Sequence, residues 1–94
     1  MLVHDVEILD NLNIVKRKSK KTQIILYDTQ RRIDDFINKI RYRKNGGYED
    51  VPHFVVSKLG MVYRLFDPNH SSKTFHNPQI DKKQIKIAIE NLGW

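Results

Sequence analysis

Residues 51–91 decide the fold, because apolar runs of strand length alternate there with turn signals. This part of the chain contains three informative segments: VPHFVVSKLGMVYRLF (51–66), KTFHNPQ (73–79) and IKIAIEN (85–91). Two apolar runs of the first segment flank Ser57-Lys58-Leu59-Gly60, and glycine can adopt a positive φ, so we predict a β-hairpin. The third segment alternates isoleucines with other residues, which is the period of a strand. Residues 67–84 contain two prolines and are predicted to form a long loop of the kind that often carries function.

The segment upstream predicts a strand followed by a helix. TQIILY (22–27) is a compact apolar run without alternation, which is typical of a strand buried on both faces inside a sheet. Asp28 or Thr29 can cap the helix that follows, at about residues 29–44. One apolar stripe on this helix is predicted to pack on the sheet: Ile33, Phe36, Ile37 and Ile40. We therefore predict an α/β fold in which one long amphipathic helix packs on a face of a mixed central sheet of about four or five strands, as a single domain over residues 1–94.

The chain is basic, with a net charge of +6 and a pI near 9.7. Five basic residues fall within residues 16–21, a run that is most often a solvated loop but that also suits an anionic partner. No zinc-finger or aromatic RNA-binding motif is present, so we expect no specific nucleic-acid recognition. Fixed cations suit phosphate groups, and the anchors predicted for such a ligand are Lys18, Arg64 and Lys73.

The sequence carries no signal for export or membrane insertion. The first ten residues contain three acidic side chains and no continuous apolar core, so they are not a secretory signal. No apolar run approaches the roughly 20 residues of a membrane span. We expect a cytoplasmic protein without a membrane partner, although export by another system or packaging in a virion is left open. Self-association is also left open, because the edge of the last strand, followed by Leu92 and Trp94, would be a liability in a monomer.

The order of these elements resembles the zinc-dependent N-acetylmuramoyl-L-alanine amidases, a family that includes amidase-type phage lysozymes and peptidoglycan-recognition proteins. The resemblance covers about residues 22–91. Four segments carry it beside the hairpin: Ile24–Thr29 looks like the first core strand and helix start, Pro52-His53-Phe54 like a Tyr-His-Phe motif, Phe75-His76-Asn77 like a Trp-His-Ala-Gly loop, and Gln84–Glu90 like a Ser-Ile-Gly-Ile-Glu strand. The resemblance implies a peptidoglycan or muropeptide ligand, and zinc as the cofactor of the family.

The chain departs from this family at the positions that carry its chemistry. Tyr27 stands where the family has a zinc-binding histidine, with Asp28 as the only neighbour able to ligate a metal, and Pro52 replaces a tyrosine that assists catalysis. The family's other two zinc ligands lie beyond the last strand, and we expect this chain, which ends at Trp94, to lack them. A catalytic zinc needs about three protein ligands, so we expect no metal, no cofactor and no hydrolysis.

Two function hypotheses follow from these observations. In the first, an amidase-like domain binds peptidoglycan or muropeptide without hydrolysing it. The alternative is a small basic binding protein, of a kind that could be phage-encoded, for an anionic ligand such as a nucleotide. A true amidase with an unusual metal site, built from Asp28, His53 and His76, is a third reading, but the spacing of these residues matches no recognised ligand set. His53 is interpreted first as a partly buried residue that orients a loop. The ligand-binding candidates are Tyr27, His53, Arg64, Phe75 and His76, with no catalytic residue.

Overall fold

The structure, a computed structural model, describes residues 2–6, 14–42, 51–73 and 78–91. Its strands form a five-stranded mixed sheet and a separate two-stranded sheet. In chain order the elements are β1 (Val3–Asp5), β2 (Ile14–Val15), β3 (Gln23–Asp28), α1 (Ile33–Tyr42), β4 (Phe54–Val56), β5 (Val62–Arg64), β6 (Ser71–Ser72), α2 (Pro78–Asp81) and β7 (Gln84–Ile89). The prediction of an α/β fold with a mixed sheet is confirmed.

The five strands lie in the order β1, β5, β4, β7, β3. Strands β4 and β5 are antiparallel and form the predicted hairpin, with Gly60 at a φ of 88° in the turn. Strand β7 pairs in parallel with both β3 and β4, and β1 pairs in parallel with β5. The short strand β2 pairs with β6 outside this sheet.

The position of β3 contradicts the sequence prediction. A run as apolar as TQIILY was expected inside the sheet, yet β3 lies at an edge, with Ile24 67% and Leu26 61% exposed. Strand β7, whose edge was expected to be open, instead lies between β4 and β3. Both predictions were wrong for one reason. Composition favours a strand, but its place in the sheet depends on which partners the rest of the chain supplies.

Helix α1 is shorter than predicted. It has ten residues and begins at Ile33 rather than near residue 29. The Thr29 side chain does not cap it, because Thr29 Oγ1 bonds within the turn that precedes the helix, 3.4 Å from the Arg31 amide. The Ile33 amide instead donates to the carboxylate of Glu90, at 2.8 Å. The helix therefore depends on a cap from a residue far away in sequence, and the prediction of a cap by Asp28 or Thr29 was wrong.

The core lies between α1 and one face of the sheet. The predicted stripe supplies part of it: Phe36 and Ile40 are buried, and Ile33 and Ile37 pack against the cluster. The remaining buried apolar residues come from the sheet and the segments that flank it: Val51, Val55, Leu65 and Ala88. Neither helix of the described part is long and apolar enough to cross a membrane.

The predicted loop of residues 67–84 contains secondary structure that the sequence analysis missed. Strand β6 and the short helix α2 both fall within it. The two residues of β6 are buried, and β6 pairs with β2 from the N-terminal part of the chain. This pairing brings the basic run of residues 16–21 next to the segment that leads into β7.

Candidate functional site

A cleft of about 640 Å³ opens between three segments that are distant in sequence. They are the run that follows β2, strand β6 with the residue after it, and the turn between α2 and β7. Six of the described side chains that line this space are basic: Arg17, Lys18, Lys20, Lys73, Lys82 and Lys83. We call this space the basic cleft.

Hydrogen bonds hold the basic run in place across the cleft. The Ser19 hydroxyl donates to the carbonyl oxygen of Lys82 at 2.6 Å, and the Ser19 amide donates to the carbonyl oxygen of Asn69 at 3.0 Å. The ammonium group of Lys21 donates to the same Lys82 carbonyl at 3.0 Å. The run is therefore fixed against the α2–β7 turn rather than extended into solvent, as an ordinary hairpin tip would be.

A buried ion pair lies behind the cleft. The Lys86 ammonium is 3.4 Å from Asp81 Oδ1 and donates to the carbonyl oxygen of Ser72 at 3.1 Å. Both side chains are almost fully buried, 2% and 7% exposed. Burial lowers the pKa of Lys21, and the nearby positive charge of Lys86 lowers it further. Asp81, which lines the cleft, thus faces a buried cation and does little to offset the six basic side chains.

Of the six cations of the cleft, Lys18 has a carboxylate nearby: the pKa of Asp67 is lowered mainly by a hydrogen bond from the Asn69 amide and in part by the charge of Lys18. Within residues 2–6, 14–42, 51–73 and 78–91, no salt bridge joins any of the six to an acidic side chain. The Ser72 hydroxyl, in the wall, is buried and has no hydrogen-bond partner in that same part of the chain. Cations that form no salt bridge and lie beside an open volume attract anions, because each approaching negative charge lowers their mutual repulsion.

The structure brings together two of the three predicted anion anchors. Lys18 and Lys73 line the same cleft. Arg64 lies elsewhere, in a second space of about 450 Å³ that also contains two carboxylates, Asp5 and Asp67. Arg64 Nε donates to Asp5 Oδ1 at 2.6 Å, and this bond raises the pKa of Arg64. Arg64 is therefore engaged by an acidic side chain and takes no part in the basic cleft.

His53 has the structural role that was predicted first for it. Its side chain is buried, and the centroid of its ring lies 4.2 Å from the centroid of the Phe66 ring. Nε2 is 2.7 Å from the carbonyl oxygen of His70, and Nδ1 accepts a hydrogen bond from the Lys86 amide at 3.0 Å. Burial lowers the pKa of His53 to about 4. A neutral His53 thus ties the loop at His70 to β7, and as placed it offers no surface to a ligand.

Tyr27, another predicted ligand-binding residue, does not line the cleft. Tyr27 lies on β3 and packs against the hydrophobic core. Phe75 and His76 lie outside the described residues, so their predicted contact with a ligand stays a prediction.

Tyr27, at the position of a family zinc ligand, and His53, from the alternative metal site, do not fit a zinc site as placed, and His76 lies outside the described residues. Both ring nitrogens of His53 are occupied by backbone groups, and Tyr27 faces the core. In the parts of the chain that the structure describes, no group of three or more His, Cys, Asp or Glu side chains could hold a metal ion. No chemical step is therefore assigned to a metal.

Three important residues were missed by the sequence analysis. Lys82 and Lys83 complete the basic cleft. The sequence contained a signal for them, because they are two adjacent basic residues just before β7, a shorter cluster than the run of residues 16–21. Glu90 was seen only as a residue of the last strand. Its carboxylate accepts from the amides of Ile33 and Lys58, at 2.8 and 2.9 Å, and these bonds lower its pKa. No local pattern indicates such a contact.

Comparison with known proteins adds no assignment, since no family model, no curated protein and no solved structure matches this chain.

Proposed function

We propose that the protein binds a small anionic ligand, such as a nucleotide or the phosphate group of a wall polymer, in the basic cleft. The observation that carries this proposal is the convergence of six basic side chains from three separate segments on one open volume. An ordinary solvated basic run would not be fixed by hydrogen bonds against a second basic segment, as residues 17–20 are through Ser19 and Lys82.

The size and chemistry of the cleft support this ligand class. A volume of about 640 Å³ lies within the range of small-molecule sites, which is roughly 300 to 1,000 Å³. Lysine ammonium groups act as compact point charges, and an arginine such as Arg17 can donate two parallel hydrogen bonds to a phosphate. Arg17, Lys18 and Lys20 follow one another closely along the chain, which suits a ligand with more than one phosphate group.

The proposal assigns a binding role and no reaction. Muropeptide binding, which the amidase resemblance implies, is the competing outcome, and the two differ in their salt dependence. An anion held by exposed cations loses affinity steeply as added ions screen the charges, whereas a sugar and peptide held mainly by packing and neutral hydrogen bonds depends on salt only weakly.

The test is a calorimetric titration with ATP, tripolyphosphate and muramyl dipeptide at about 50 mM and about 500 mM sodium chloride. We expect ATP and tripolyphosphate to bind, with affinity at least about tenfold lower in high salt. Tripolyphosphate binding as tight as ATP binding would assign recognition to the phosphates, and tighter ATP binding would add a contact to the nucleoside.

The matched variants are the double change Lys18→Ala with Lys73→Ala, and the control Lys58→Ala with Lys39→Ala, which removes the same charge away from the cleft. We expect the first to weaken tripolyphosphate binding by at least about tenfold and the second by less than about twofold. Equal losses in both would mean that only net charge matters. That result would refute the proposal. An absence of binding by both ATP and tripolyphosphate, or binding of muramyl dipeptide alone, would also refute it.

A further inference from the structure

In the described part of the chain, the outer edge of β3 is an open hydrogen-bonding edge six residues long. The amides of Gln23 and Thr29 donate to the carbonyl oxygens of Lys83 and Ile89, so the odd-numbered residues of β3 bond to β7. The amide of Thr22, just before β3, also donates to the Lys83 carbonyl oxygen. Backbone groups alternate in direction along a strand, and the even-numbered residues Ile24, Leu26 and Asp28 therefore direct theirs away from β7. No strand of the described residues pairs with them.

The side chains along this edge are apolar and exposed. Ile24 and Leu26 share one face of the sheet and are 67% and 61% exposed, and Ile25 on the opposite face is 37% exposed. Natural edge strands are usually blunted by a charge, a proline or a bulge at their centre. The centre of β3 has none of these devices, and its only charged residue, Asp28, stands at its C-terminal end.

Antiparallel pairing of β3 with itself matches these features in one register. Only residues with outward backbone groups can form the hydrogen-bonded pairs of such a ladder, so Ile24 must face an even-numbered residue. When Ile24 faces Leu26, the two most exposed apolar side chains of β3 meet twice across a twofold axis, and Ile25 faces Ile25 at the axis. The register in which Leu26 faces Leu26 would place Ile24 against Asp28.

Charge complementarity favours the same arrangement. In this register Asp28 of one copy lies opposite the segment just before β3 of the other, which contains Lys20. The Thr22 amide of that segment donates to the Lys83 carbonyl oxygen of its own chain, so the hydrogen-bonded ladder ends at Ile24 and Leu26. A lysine side chain can span the distance of about 7 to 8 Å between diagonal neighbours of a sheet. Lys20 and Asp28 are both exposed in the single chain. Each end of the paired edge would therefore join a cation to a carboxylate.

We propose that β3 is the dimerisation edge of this protein, and that a second copy of the chain pairs with it antiparallel, centred on Ile25. The pairing joins two five-stranded sheets into one continuous sheet of both copies. The contact is isologous, so it closes at two copies rather than forming a filament. It uses one cation of the basic cleft, Lys20, whereas Lys18 and Lys73 take no part in it.

Sedimentation equilibrium over roughly a hundredfold range of protein concentration tests the association. We expect a reversible monomer–dimer equilibrium for the natural sequence. Leu26→Lys should raise the dissociation constant at least about tenfold, because it places two charges in the middle of the ladder. Asp28→Lys should have the same direction of effect by repelling Lys20, and Asp35→Lys, an equal charge change on the exposed side of α1, should have none. A monomer at every concentration, or a dimer that Leu26→Lys leaves unchanged, would overturn the proposal.

Disulfide trapping tests the register. The chain has no cysteine, so a single introduced thiol can bond only to its copy. Residues facing each other in a non-hydrogen-bonded antiparallel pair have Cα atoms about 4.5 Å apart, which is within disulfide range. Ile25→Cys should therefore form a covalent dimer under mild oxidation at least about tenfold faster than Ile24→Cys or Leu26→Cys. Faster trapping through position 24 or 26 would refute the proposed pairing, and circular dichroism confirms that each variant is folded.

Discussion

Strands β3 and β7 are parallel neighbours of six residues each, and their burial differs although each has four apolar residues. Strand β3 has the sequence QIILYD, and Tyr27 is its only residue that is not exposed. Strand β7 has the sequence QIKIAI, yet Lys86 and Ala88 are buried and only Ile89 is exposed. In register, exposed Ile25 pairs with buried Lys86. Two equally apolar strands therefore differ in exposure.

The difference teaches that position in the sheet outweighs the hydrophobicity of a strand. Strand β7 has a neighbour on each side, and α1 contributes Phe36 and Ile40 to the same core as Ala88. Strand β3 has one neighbouring strand and forms an edge of the sheet in the described part of the chain. A buried lysine is tolerated in β7 because Asp81 and a backbone carbonyl accept its hydrogen bonds.

The largest effect on the free energy of unfolding is expected at Lys86, and its register partner Ile25 serves as the comparison. Lys86→Ala removes the buried cation that faces Asp81 and should lower the free energy of unfolding by about 3 to 5 kcal/mol. Ile25→Ala, at a site 37% exposed, should cost about 1 kcal/mol. Urea denaturation measures both. Lys86→Met combined with Asp81→Asn should recover part of the loss, and equal costs for Lys86→Ala and Ile25→Ala would break the comparison.

The next effect is a pH dependence that originates at His53, which is bound to β7. Its pKa is about 4 in the folded protein, against an ordinary value of 6.5. Folding thus favours the neutral ring, and this contribution is present above pH 6.5 and is lost as the pH falls toward 4. This contribution to the free energy of unfolding amounts to about 3 kcal/mol.

Urea denaturation at several values of pH measures this loss, and His53→Gln should remove that part of the pH dependence while leaving the contribution of the carboxyl groups. An NMR titration in which His53 has an ordinary pKa in the folded protein would contradict this prediction.

A smaller effect is expected where the two strands end. Glu90, just after β7, accepts hydrogen bonds from the first amide of α1 and from Lys58, so Glu90→Ala should cost about 1 kcal/mol. Asp28 ends β3 and is exposed, and Asp28→Ala should change the stability by less than about 0.5 kcal/mol. Thermal denaturation compares them, and a larger loss for Asp28→Ala would reverse the expected order.

The smallest effect is expected on the exposed face of β3. Leu26→Ala should cost less than about 0.5 kcal/mol when measured at a concentration where the protein is monomeric, because the side chain is 61% exposed. Its register partner Ile87 is half-buried, and Ile87→Ala should cost more, about 1 to 2 kcal/mol. If Leu26→Ala proves as costly as Ile87→Ala in the monomer, then Leu26 is covered in solution and the contrast between the strands fails.

Some features were predictable because their signals are local. The glycine at position 60 indicated the hairpin turn, and the alternation in residues 85–90 gave the two faces of β7, with Lys86 and Ala88 on one of them. The apolar stripe of α1 packs on the core as expected, although the helix starts later than expected. For the candidate site, the sequence predicted Lys18 and Lys73 as anchors for an anionic ligand.

What the sequence by itself determined are the strand and helix periods, the hairpin turn and the excess of positive charge, since each of these depends on residues a few positions apart. Only the tertiary structure decided that β3 lies at an edge, that Glu90 caps α1 and that Lys18, Lys73 and Lys82 meet in one cleft. These outcomes depend on pairings between segments tens of residues apart, such as β2 with β6. Such pairings are selected by the free energy of the whole fold, in which loop closure, burial and hydrogen bonding compete, and no local pattern records the result.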